Sequence, residues 1–140
     1  MPQDELAAWL RLLLTPGVGN QTARRLLALC GLPQHIFGQP AVWQGHVNAA
    51  QATALRREPA DLPALVQATW QWLHSPAGDG VARRILTLAD SAYPRALLAT
   101  DDPPLLLHAM GMAEVLAQDQ PFAALRCVAM VGSRTPTAQG

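Results

Sequence analysis

The residues best suited to bind a ligand follow an apolar run near the C-terminus. Residues 127–131 are Cys, Val, Ala, Met and Val, and they lead directly into Gly132, Ser133 and Arg134. Such a run is typical of a strand buried on both faces of a parallel sheet, and ligands bind such sheets at the carboxyl ends of their strands. A glycine lets backbone N–H groups approach a phosphate, while serine and arginine add further donors. The sequence therefore predicts an anion site at Gly132, Ser133 and Arg134.

Two other interpretations of this segment stay open. One is a nucleotide-binding Rossmann-like enzyme, although the segment contains neither the GxGxxG fingerprint nor the Walker A loop that such enzymes usually have. The segment can also be an ordinary turn between a strand and a helix.

Ser133 has no candidate base near it, which argues against a hydrolytic nucleophile. The four histidines lack metal-ligand spacing. We therefore expect a protein that is not an enzyme and has no metal or other cofactor.

A second candidate site is the sequence Gly17, Val18 and Gly19, which follows Pro16. It is similar to the hairpin of a helix-hairpin-helix motif, in which glycines let backbone amides face a DNA phosphate at a helix N-terminus. The alternative is a tight turn between two core helices. Asn20 and the residue after it supply no positive charge beside the hairpin, so this alternative stays open, as does a helical module that binds a partner by itself.

The spacing of apolar residues predicts the elements around these sites. Helices are expected over residues 3–14, 20–30, 47–57 and from residue 62 onward, with Asn20 and Asp61 as N-caps. In the first helix the apolar stripe is Leu6, Trp9, Leu10, Leu13 and Leu14. Turn-forming residues at 75–80 mark a boundary. Beyond it, short strands are expected over 84–89, 105–109 and 127–131, the second stopped by Gly111, with brief helices over 93–98 and 113–118.

These patterns predict two domains of different class. Residues 1–75 would form a helical domain. Residues 81–140 would form the first part of an α/β domain whose parallel sheet is unfinished. The apolar stripes of the helices can pack against each other within about 75 residues. Although this size is marginal for independent folding, we expect the helical part to fold alone.

Composition restricts the kind of nucleic-acid surface that the chain can have. Ten basic residues, all of them arginine, balance ten acidic residues, which excludes a uniformly basic surface but not a local arginine patch. Cys30 and Cys127 are far apart and are expected to be buried hydrophobic residues. Asp4 and Glu5 occupy the place where an export signal would be positively charged. We therefore expect a cytoplasmic protein with no membrane-spanning segment.

Three segments, taken in order, resemble the DprA/Smf family of bacterial DNA-processing proteins. They are LTLADSAYPRALL at residues 86–98, DPPLLLHAMG at residues 102–111 and VAMVGSR at residues 128–134, with Gly140 at the position of the family's following glycine. Each segment alone is unspecific, whereas the ordered series with similar gaps is quite specific. The resemblance covers roughly residues 80–140, and the helical N-terminus more loosely resembles the family's SAM-like or helix-hairpin-helix-like domain.

The resemblance implies a fold and a function. The fold would be a mainly α SAM-like domain followed by the start of an extended Rossmann-like domain. The function would be non-catalytic binding and protection of single-stranded DNA, with loading of the RecA recombinase during natural transformation, by a protein that is a homodimer in its full length. The family's glycine-serine-arginine loop maps onto Gly132, Ser133 and Arg134.

This sequence departs from the family pattern in two respects. Gln139 stands where the family usually has a tyrosine before the final glycine. The family's second glycine-rich loop and most of its sheet and dimer surface have no counterpart in these residues, and we expect them to follow Gly140 in a complete member. On the family pattern, these 140 residues would therefore hold only part of the DNA site.

Overall fold

A computed structural model describes residues 1–123, 126, 128 and 130 of the chain. The described part is mainly helical, with one small antiparallel sheet. Six helices come first: α1 (Gln3–Leu14), α2 (Asn20–Cys30), α3 (Pro33–Gly38), α4 (Pro40–Trp43), α5 (Ala49–Arg56) and α6 (Leu62–His74). Strand β1 (Val81–Thr87), helix α7 (Arg95–Leu98), strand β2 (Leu106–Met112) and helix α8 (Ala113–Leu116) follow.

Helix α1 lies between two parts of the core. Asp4 and Glu5 in its first turn and Arg11 in its last turn complement the helix dipole. The predicted stripe is correct at Leu6, Trp9 and Leu10, which are all buried. It is wrong at Leu13, which is 40% exposed, whereas Leu12 is fully buried. A single stripe fails here because a helix with partners on two sides buries a wider arc than one apolar face.

The turn between α1 and α2 takes its shape from glycine. Gly17 has φ +74°, a left-handed conformation that glycine adopts without steric cost. The prediction that Asn20 caps α2 is wrong, because Gly19 occupies the N-cap position and Asn20 is the first helical residue. Its side chain is consequently free to bind elsewhere, and it donates to the carboxylate of Asp102.

Two short helices, α3 and α4, were not predicted. They have six and four residues, too few to show a helical repeat in the sequence. Each begins with a proline, which suits the first turn of a helix. Trp43 joins them, because its Nε1 donates to the carbonyl oxygen of Ile36 at 2.6 Å. Helix α5 was predicted, and it begins with a capping box formed by Asn48 and Gln51.

Strands β1 and β2 form a two-stranded antiparallel sheet, so the parallel arrangement predicted for this part of the chain is wrong for these two strands. Val81 pairs with Met112 at one end and Thr87 with Leu106 at the other. The predicted stop at Gly111 is wrong, since β2 continues through it to Met112. The third predicted strand, at residues 127–131, lies outside the continuously described part of the chain. Helices α7 and α8 confirm the two brief helices expected after the boundary.

The core consists of two clusters, and both draw residues from beyond the turn at residues 75–80. The first cluster joins α1, α2, α3, α4 and α5 and includes Leu105, which is 2% exposed. The second joins α1 and α6 and includes Ile85 from β1. Cys30 packs against the first cluster but is only partly buried, and not fully as predicted. The two sides of the turn therefore share their hydrophobic core.

Candidate nucleic-acid interface

The main candidate site, Gly132, Ser133 and Arg134, lies outside the described residues. The described part does contain the two upstream segments that resemble the DprA/Smf pattern, at residues 86–98 and 102–111, and the candidate hairpin at residues 17–19. Its geometry shows how these three parts are positioned relative to one another.

Hydrogen bonds join the two upstream segments. The Tyr93 hydroxyl donates to the carbonyl oxygen of Pro104 at 2.7 Å, and the Leu88 N–H donates to the carbonyl oxygen of Leu105 at 3.1 Å. Tyr93 is 4% exposed, and burial raises the pKa of its phenol. Because both contacts are made by groups away from the surface, they fix the relative position of the two segments.

A carboxylate closes the turn after β1. Asp90 accepts hydrogen bonds from the Thr87 N–H at 2.7 Å and from the Thr87 hydroxyl at 2.8 Å, both on the same oxygen. Thr87 is 2% exposed, so this carboxylate satisfies two polar groups that water does not reach. Asp90 therefore has a structural role, and its charge is directed to the turn.

The candidate hairpin connects helices α1 and α2. Val18 is 7% exposed and belongs to the first core cluster. The carbonyl oxygen of Gly17 accepts a 2.9 Å hydrogen bond from the side chain of Gln51. A Cβ added at Gly19 would meet nothing within 4 Å, so the backbone there is open to an approaching group. The geometry is compatible with either interpretation of this segment.

The charges beside the hairpin do not favour the binding of a phosphate. Asn20 and Arg24 on α2 both bind the carboxylate of Asp102, at 3.1 and 2.7 Å. Arg24 also donates to the carbonyl oxygens of Asp101 and Pro103. A phosphate arriving at the hairpin would meet a carboxylate that has already neutralised the nearest cation.

Most arginines of the described part bind the protein itself. Arg11 donates to the carbonyl oxygen of Leu55 and lies over the ring of Phe37. Arg83 donates to the carbonyl oxygens of Trp72 and Ser75, at the C-terminal end of α6. Side-chain hydrogen bonds are likewise made by Arg24, Arg56 and Arg84. Within residues 1–123, the exposed arginines without such a bond are Arg25, Arg57 and Arg95.

Two of the four tryptophans are buried and two are half-buried. Trp9 and Trp43 are each 1% exposed, which confirms that Trp9 belongs to the buried stripe of α1. Trp70 packs half-buried against the second core cluster. Trp72 is half-buried between Arg83, which lies over its ring, and His108, which meets its edge. Burial lowers the pKa of His108.

One feature that the sequence did not indicate is a cleft of about 480 Å³ between residues 92–96 and residues 120–123. It brings together residues from the two sides of β2 in the sequence, and no periodic pattern or motif predicts that contact. Phe122 and Arg95 both line it. One of its two walls, residues 120–123, comes shortly before residues 128–134 in the sequence.

The described part has no helix that is long and apolar enough to cross a membrane. Among the same residues, no group of three or more His, Cys, Asp or Glu side chains could hold a metal ion. Comparison of the chain with protein-family models, with curated proteins and with solved structures finds no match.

Proposed function

We propose that this chain is a non-catalytic, single-stranded DNA-binding protein of the DprA/Smf kind. The proposal rests mainly on the hydrogen bond from Tyr93 to Pro104. This bond joins the two upstream family-like segments, residues 86–98 and 102–111. This hydrogen bond holds the two segments side by side, as expected if both belong to one domain. The third segment would then follow them in the same domain, with Gly132, Ser133 and Arg134 as its phosphate-binding loop.

The finer features of the proposal follow from the same resemblance. The helical part would be SAM-like, and the remainder would be the start of an extended Rossmann-like domain. The protein would work in the cytoplasm, bind and protect single strands during natural transformation, and help to load RecA. The full-length protein would be a homodimer.

The distribution of charge supports single-strand binding at a few points over binding along a basic surface. The chain has no excess of basic residues, and five of its arginines are engaged within the described part. Few phosphates can therefore be neutralised at once, which makes both the affinity and its salt dependence modest. We expect these 140 residues to bind more weakly than a complete family member.

A fluorescence anisotropy titration tests the proposal. The labelled ligand is a single-stranded oligonucleotide, and its competitors are the unlabelled strand, the same sequence as a duplex, and ATP. The proposal predicts that the single strand competes best and that ATP is neither bound nor hydrolysed. Preferential binding or hydrolysis of ATP would favour the nucleotide-binding enzyme instead, and equal competition by the duplex would favour a helical module.

A further inference from the structure

The cleft between residues 92–96 and residues 120–123 has the size of a ligand site. Its volume of about 480 Å³ falls within the range of ~300–1,000 Å³ that is usual for small-molecule sites. Several of its lining residues are small and apolar, namely Ala92, Pro94, Ala96 and Ala123. The hairpin at residues 17–19 does not contribute to this lining.

Hydrogen bonds hold both walls of the cleft. On one side, Tyr93 is fixed by its hydroxyl on Pro104 and by its N–H on the carbonyl oxygen of Asp90. On the other side, the Ala123 N–H donates to the carbonyl oxygen of Gln120 at 3.2 Å. The Gln120 side chain reaches across to the carbonyl oxygen of Ser91 at 3.4 Å. A cleft formed in advance lowers the entropic cost of binding.

Two lining side chains offer specific chemistry. Phe122 is half-buried, so that part of its ring remains accessible. Arg95 is exposed and is the one charged side chain among the described residues that line the cleft. An aromatic face next to a positive charge is the combination with which proteins bind single strands, the ring stacking on a base and the cation attracting the backbone.

We propose that this cleft binds one nucleotide of a single-stranded DNA, with the base stacked on Phe122 and its phosphate next to Arg95. The inference rests on the proposed function and extends it with a second contact point upstream of residues 132–134. Within the part of the chain that the structure describes, the lining has one positive charge and no carboxylate, which suits a polyanion. A duplex would not fit as well, because its bases are stacked within the helix and their faces are not available.

The test measures the affinity of the full 140-residue chain for a labelled single-stranded oligonucleotide. The variants are Phe122→Leu, which keeps an apolar side chain but removes the aromatic face, and Arg95→Ala. The matched control is Arg57→Ala, another exposed arginine without a side-chain hydrogen bond in residues 1–123. Circular dichroism melts of each variant show whether it is folded.

We expect Phe122→Leu to weaken binding by about five- to tenfold, the loss that corresponds to one stacked base. Arg95→Ala should reduce the slope of log affinity against log salt by about 0.7, and Arg57→Ala should change neither quantity. An oligonucleotide with abasic sites should bind the wild type more weakly and should be insensitive to Phe122→Leu. A merely structural role for Phe122 would not produce that insensitivity.

The failure of this inference is distinguishable from the failure of the proposed function. If the wild type binds the single strand and both variants match Arg57→Ala, the cleft is not a nucleotide site, although the protein still binds DNA. If Phe122→Leu weakens intact and abasic strands equally, base stacking is refuted. If the wild type binds no single strand, both proposals are wrong.

Discussion

Arg24 donates a 2.7 Å hydrogen bond to the carboxylate of Asp102, a residue 78 positions later in the chain. The same guanidinium donates to the carbonyl oxygens of Asp101 and Pro103. It therefore binds three consecutive residues of the segment that leads into β2, and that segment continues into Leu105 in the first core cluster. Arg24 and Leu105 together attach the family-like segment to the helical part.

Arg24→Ala should destabilise the protein by about 1–2 kcal/mol, because it removes two hydrogen bonds to carbonyl oxygens as well as an ion pair. The neighbouring Arg25→Ala is the matched control, since Arg25 is exposed and makes no side-chain hydrogen bond in residues 1–123; we expect it to stay within about 0.5 kcal/mol of the wild type. Urea denaturation of both variants checks this. Equal midpoints for Arg24→Ala and Arg25→Ala would contradict it.

The contribution of Asp102 should depend on pH. Hydrogen bonds from Arg24 and Asn20 lower the pKa of its carboxyl, so the folded state binds this proton more weakly than the unfolded state does. The stabilisation is complete above the unfolded pKa of about 3.9 and is lost as the pH falls through the lower folded pKa.

Melting temperatures measured from neutral pH down to about pH 2 test this expectation. The wild type should melt above Asp102→Asn at neutral pH, and the difference should shrink as the solution becomes more acidic than the unfolded pKa. Asp101→Asn is the control, because Arg24 binds the backbone of Asp101 and not its side chain. A difference that does not change with pH would show that the carboxylate charge is not involved.

Leu105→Ala should destabilise the whole chain by about 2–5 kcal/mol, the usual cost of a large cavity in a core. Leu98→Ala is the control, because Leu98 is 50% exposed and its truncation leaves no cavity. Thermal unfolding followed at the helical circular dichroism signal gives both values. If Leu105→Ala melts like Leu98→Ala, the helical part does not depend on this residue, and residues 1–75 would be expected to fold alone with full stability.

Gly19→Ala should leave affinity for single-stranded DNA unchanged. The space around Gly19 is open and its backbone is extended at φ −78°, so an alanine fits without strain and would obstruct only a phosphate that approached the backbone closely. We expect the DNA contacts to lie elsewhere, because Asp102 neutralises Arg24 beside this turn. A clear loss of DNA affinity with an unchanged melting temperature would identify the hairpin as a DNA site after all.

Sequence periodicity was sufficient for the longer elements. Helices α1 and α2 begin and end where the apolar spacing and the glycines at 17, 19 and 31 predicted. It was insufficient for α3 and α4, which are too short to repeat, and for the exposure of Leu13 at the end of a helix with two partners. Local patterns do not contain the information about which neighbours a helix will meet.

The candidate site was less predictable than the fold. Arginine pairs in the sequence could not be assigned to DNA or to the protein, because the carbonyl oxygens that bind Arg24, Arg83 and Arg84 become available only after helices end and loops pack. The cleft at Arg95 and Phe122 brings together residues that are well separated in the sequence. By contrast, the order of the three family-like segments is visible in the sequence alone.

The central claim is that Gly132, Ser133 and Arg134 bind DNA phosphate, and the salt dependence of single-strand binding tests it most directly. Anisotropy titrations of the wild type, Arg134→Ala and Arg134→Lys at several salt concentrations give an affinity and a slope for each. We expect Arg134→Ala to bind more weakly at every base composition and to flatten the log–log slope by about 0.7. Arg134→Lys should recover only part of the affinity, because an ammonium lacks the bidentate geometry of a guanidinium. Unchanged affinity and slope in Arg134→Ala, with an unchanged melting temperature, would contradict the claim and remove this loop from the DNA site.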